Sequence, residues 1–177
     1  MISAVAAQWS ARAVVCLLAA GLPGAPAHVS AQPSGPGGPA GPNATVEVAT
    51  VLTLTGLAPG FALTGDPGET VTGNPVALNV ETNNGSGYVV TIQSRTPAMV
   101  ASTRGNEDSI PIGAVSVRGS GASTYVALSD TTPVTAHRGP GPTAEGGDDL
   151  GDEFQAVIPD VERDTYIATL DYVAATL

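Results

Sequence analysis

The chain has 177 residues, with 22 Gly, 15 Pro, one Cys, six basic and 16 acidic side chains. All six basic residues are Arg, every acid lies after residue 42, and the net charge is −10. That charge repels phosphate backbones and anionic headgroups, so nucleic acid and membrane surfaces are not expected partners. Without Lys there is no Schiff-base nucleophile and no Walker-type phosphate lysine.

Arg12 precedes an apolar run over 13–22, which Pro23 ends. The run is too short to span a bilayer. Two small-residue cleavage sites follow, Ala25-Pro26-Ala27 and Val29-Ser30-Ala31. This layout predicts a secretory signal peptide over 1–31, cut after Ala27 or, preferably, after Ala31. Cys16 lies inside it and follows Val15 rather than the small residue of a lipoprotein anchor. The processed chain then has no disulfide, no thiolate and no Cys-ligated metal. It is expected to be secreted, with no membrane insertion after cleavage.

Residues 32–42 (QPSGPGGPAGP) bury nothing and predict a disordered or polyproline-like linker. The remaining 43–177 is about 135 residues, the size of one domain. Thr and Val are abundant there, Gly and Pro punctuate every segment, and apolar residues recur at period two. Val46, Val48, Leu52 and Leu54 alternate over 45–54, and Val76, Leu78 and Val80 alternate over 76–80. Tyr88, Val90 and Ile92 alternate over 88–92, so the intervening Asn83-Asn84-Gly85-Ser86-Gly87 predicts a hairpin. Asp66-Pro67-Gly68 predicts a second turn.

Further strands are expected over 110–118, 125–128, 134–137, 154–158 and 165–173, the last burying Tyr166, Ala168, Leu170 and Tyr172. Seven to nine short strands with turns at this spacing predict an all-β, two-sheet immunoglobulin-like Greek-key sandwich, with a closed barrel as the alternative.

The same stretch supplies few chemical groups. His137 is the one histidine after residue 31, and no Gly-x-Ser-x-Gly elbow accompanies it. One His does not anchor a zinc site, so an exposed strand-end role is expected for it. Segment 139–152 (GPGPTAEGGDDLGD) predicts a long acidic loop. The acidic stretch Glu145, Asp148, Asp149, Asp152, Glu153, Asp160, Glu162 and Asp164, which this segment opens, has the oxygen ligands calcium uses, although the order over 148–153 matches no EF-hand. A solvated, self-repelling loop is the plainer reading. No catalytic, metal or cofactor-binding residue is assigned. Phe61, Tyr88, Tyr125, Phe154, Tyr166 and Tyr172 are expected mainly in the core.

Two segments carry a resemblance. Residues 79–92 (NVETNNGSGYVVTI) and 164–173 (DTYIATLDYV) resemble the Gly-turn strand and the closing strand of WxL-type cell-surface domains. Tyr88 and Tyr172 stand at the two motif Trp positions, with Val90 and Ala174 at the Leu positions, so neither Trp-x-Leu triplet is intact. The resemblance implies a secreted β-sandwich held non-covalently at the bacterial wall. It makes Tyr88 and Tyr172 the candidate ligand-binding residues and implies cell-wall glycan or another surface protein as partner. A non-catalytic surface protein with a binding or structural role is therefore the leading expectation. The alternative is a self-assembling pilus- or fibre-like subunit, with 45–54 donated to a neighbour's sheet. A calcium-dependent secreted enzyme stands third.

Overall fold

The computed structural model describes residues 5–13 and 45–177. The signal-peptide features from Val14 onward and the 32–42 linker lie outside the described residues. The strands are β1 (Val5–Ala13), β2 (Leu52–Thr55), β3 (Ala62–Gly65), β4 (Thr70–Thr72), β5 (Val76–Thr82), β6 (Tyr88–Ser94) and β7 (Ala98–Ala101). They continue with β8 (Ser109–Pro111), β9 (Val115–Gly119), β10 (Val126–Ala127), β11 (Val134–Gly139), β12 (Asp148–Val157) and β13 (Tyr166–Thr176).

Two sheets result. The first runs β11-β6-β13-β1-β3, with β7 on β13 and β8 on β7; the second runs β10-β9-β12-β5-β2, with β4 on β12. Every ladder is antiparallel except that between β1 and β13. The all-β, two-sheet expectation is met. The strand count is not: there are thirteen strands among the described residues rather than seven to nine.

Period-two patterning builds the core. β5 buries Val76, Leu78 and Val80, β6 buries Tyr88, Val90 and Ile92, and β13 buries Tyr166, Ala168, Leu170 and Tyr172. Each of the Val, Leu and Ile side chains contributes about 1.5–3 kcal/mol by leaving water. Phe154 on β12 is fully buried and stacks on Phe61 at 4.3 Å between ring centroids.

Several sequence expectations are corrected by how the chain changes sheets. The expected hairpin between β5 and β6 is an arch: β5 pairs with β12 and β2, whereas β6 pairs with β11 and β13. The five residues 83–87 are enough to cross the roughly 10 Å between packed sheets. Asn84 holds the crossing, donating from Nδ2 to the Gly87 carbonyl at 2.8 Å and accepting the Gly87 N–H at its own carbonyl at 3.0 Å. Gly87 has φ +88°, and a Cβ there would collide with the Gly139 carbonyl oxygen.

The expected strand over 110–118 likewise divides. β8 joins the first sheet, a 3-10 turn at Ile112–Ala114 follows, and β9 joins the second. Of the expected strand 45–54, residues 52–54 lie in β2, paired with β5.

Segment 139–152 is not one long loop. From Asp148 it is strand, paired with β5 from Asp148↔Val80 to Asp152↔Val76.

Candidate functional site

The titratable side chains that meet inside the molecule lie along β12, on the face turned to the core. Strand alternation places Asp148, Leu150, Asp152, Phe154 and Ala156 on that face, with exposure falling from the rim at Asp148 to none at Asp152. Asp148 Oδ2 accepts the Tyr88 hydroxyl at 2.8 Å. Asp152 Oδ1 pairs with His137 Nε2 at 2.8 Å, the side chains 0% and 3% exposed. Both contacts run from the second sheet to the first and form a polar seam through an otherwise apolar core.

His137 is therefore buried, against the expectation of an exposed strand end. A β-bulge between Thr135 and His137 is the cause. In an unbroken strand, inward-facing Val134 would put Ala136 and Arg138 inward; the extra residue shifts the phase, so His137 and Gly139 are buried instead. Gly119 on β9 makes room, since a Cβ there would collide with the Ala136 carbonyl oxygen and lie 3.0 Å from His137 Cε1. The bulge carries no composition signal, so nothing in the sequence turned His137 inward.

Tyr88 and Tyr172, the two candidate ligand residues, are 2% and 1% exposed. Neither ring is presented to solvent. Burial first, and then the Asp148 carboxylate that accepts its hydroxyl, push the Tyr88 phenol up to about 12. Burial, with the neighbouring Asp152 charge second, pushes the Tyr172 phenol far above its ordinary value. Tyr172 Oη and Asp152 Oδ2 are the two buried side-chain polar atoms among the described residues that lack a hydrogen-bond partner.

Three other acids of the 145–164 stretch are engaged separately. Asp149 accepts Asn79 Nδ2 at 2.9 Å, and Glu153 pairs with Arg118 Nη2 at 2.6 Å. Asp164 accepts five donors: the Ser102 and Thr103 hydroxyls, the Thr103 and Thr165 N–H groups, and Asn106 Nδ2. Burial raises its carboxyl, but the hydrogen bonds from Thr165, Thr103 and Ser102 together outweigh that and hold it well below the usual carboxylate range. Among the described residues no three His, Cys, Asp or Glu side chains group to hold a metal ion.

On the outer face of the second sheet, Arg118 of β9 and Glu153 of β12 stand directly opposite each other. Tyr125 joins them: its hydroxyl donates to Glu153 Oε1, and the Arg118 guanidinium lies 4.7 Å from its ring centroid. Tyr125 is not buried, unlike Tyr88, Tyr166 and Tyr172. The sequence predicts Tyr125 in a strand over 125–128 and mainly in the core; it lies instead just before β10, half-buried, and its partners are brought in by sheet register. Among the described residues no helix is long and apolar enough to cross a membrane.

No protein-family model matches the chain, and comparison with curated proteins finds no significant match.

Proposed function

We propose that the chain is a secreted, wall-associated surface protein whose two sheets form an immunoglobulin-like Greek-key sandwich, with a non-catalytic binding or structural role. The observation that carries this reading is the position of the acid–base chemistry. His137 and Asp152, which together have the composition of a catalytic dyad, are sealed between the sheets at 3% and 0% exposure. A dyad without access to substrate serves to fix the packing of two sheets rather than to transfer protons. The signal-like N-terminus and the Gly/Pro linker support export, and the net charge of −10 favours neutral, polyhydroxylated or cationic partners over anionic ones.

The burial of Tyr88 and Tyr172 moves the contact surface of this reading to Tyr125, whose ring, with Arg118 and Glu153 beside it, offers an apolar face and polar groups to a sugar. The test is co-sedimentation of the secreted protein with isolated cell-wall sacculi, with and without calcium. Binding that falls at least tenfold in Tyr125→Ala while the melting transition is kept is the expected result. Protein left in the supernatant, or strong, specific hydrolysis of any glycan or peptide, overturns the reading.

A further inference from the structure

The arch at 83–87 carries a reactive pair. Asn84 is the one asparagine, of six in the chain, that is followed by glycine. Gly85 is exposed and does not have a positive φ, and a Cβ built on it meets nothing within 4 Å. The fold therefore makes no use of its missing side chain, in contrast with Gly87. What the missing side chain does is leave the Gly85 peptide nitrogen open to the side chain before it.

That side chain is the one that ties the arch. Asn84 Nδ2 donates to the Gly87 carbonyl at 2.8 Å and to the Leu177 carbonyl at 3.4 Å. Its Oδ1 accepts the Ser86 N–H at 3.5 Å. The Ser86 N–H thus faces the oxygen on which negative charge grows when the carboxamide carbon is attacked.

We infer that Asn84 is a self-modification site, converted in the folded protein by the Gly85 peptide nitrogen. The nitrogen attacks Asn84 Cγ and closes a succinimide ring. The Cγ–Nδ2 bond breaks, and the Gly85 amide proton leaves with Nδ2 as ammonia. Water then opens the ring at either carbonyl, giving aspartate or isoaspartate. No other reactant is needed.

Either product removes the donor that holds the crossing. In the aspartate product a charged acceptor faces the carbonyl oxygens of Gly87 and Leu177, which leaves the arch with repulsion in place of two hydrogen bonds. Isoaspartate also adds a main-chain carbon to the link between β5 and β6. The Gly87 carbonyl accepts the Leu177 N–H at 3.1 Å, and Tyr88 pairs with Thr176. The end of β13 therefore loosens with the arch. The reaction acts as a clock that frays the first sheet at this end as the protein ages, and it is independent of wall binding.

The test incubates the folded full chain at mildly alkaline pH beside a free peptide of residues 81–89. Peptide mass spectrometry and an enzymatic isoaspartate assay follow Asn84 in both. Conversion in the folded chain is the expected result. Gly85→Ala should slow it roughly tenfold or more and leave the melting transition unchanged, because the space beside Gly85 is empty. An Asn84 that stays intact in the folded chain after the peptide has converted overturns the proposal, as does a Gly85→Ala chain that converts as fast. Aged protein, and Asn84→Asp as a mimic of one product, should exchange the Gly87 and Leu177 amide hydrogens faster than fresh protein. Equal exchange overturns the clock.

Discussion

Asp152 is fully buried on β12 and has one partner, His137, while Asp164 lies half-buried in the loop before β13 and accepts five hydrogen bonds. Asp164 ties the loop after β7 to the loop before β13, and its donors are backbone, hydroxyl and amide groups of those two loops that hold the carboxylate in its charged form. Asp152 links two sheets through a single imidazole and leaves one oxygen unpartnered. A carboxylate can therefore be held by many donors where water already screens it, or by one partner where burial makes the loss of that partner severe.

Deleting the partner is the strongest way to break this contrast. His137→Ala leaves Asp152 buried without a hydrogen bond and should cost about 3–5 kcal/mol, read as a lower denaturant midpoint at unchanged slope. The acid limb sharpens it. Because the native structure holds the Asp164 carboxyl below its ordinary 3.8, its contribution is present above about pH 4 and is lost as pH falls through the depressed native value. Asp164→Asn should consequently lower the neutral-pH melting temperature and flatten the loss of stability below about pH 4, both visible in a pH series of thermal melts. The smallest effect belongs to Tyr172→Phe. The hydroxyl it removes is buried and unpartnered, so stability should change by no more than about 1 kcal/mol, in either direction. A larger loss would mean that the hydroxyl bonds Asp152 in solution.

What the sequence made legible was whatever depends on period-two alternation. The inward set Tyr166, Ala168, Leu170 and Tyr172 is buried as expected, because a strand with one apolar face has one register that hides it. The expected core positions of β5 and β6 are correct for the same reason. What failed depends on which strand a strand meets. Asn83-Asn84-Gly85-Ser86-Gly87 has the composition of a hairpin turn, yet a five-residue link serves an arch equally well, and only the pairing of β5 with β12 and of β6 with β13 decides between them. The acidic stretch read as a loop because Asp and Gly are poor strand formers. Asp148, Asp149 and Asp152 are nonetheless in β12, each bonded to a side chain on another strand: Tyr88 and Asn79 donate to the first two, and His137 pairs with the third. The site was thus invisible for a definite reason: His137 reached the core through a bulge, and its partner through register.

The arch at 83–87 also bears on when this chain can fold. A hairpin would let β5 and β6 find each other within a few residues; an arch sends them to different sheets, where β5 has β2 made before it but lacks β12, and β6 must wait for β11 and β13. β6 pairs along its length with β13, from Tyr88↔Thr176 to Ser94↔Leu170, so the centre of the first sheet cannot close until the last strand arrives. Topologies dominated by such distant pairings fold slowly and gain little from partial synthesis. A nascent copy therefore keeps β6 without its central partner until β13 has been made.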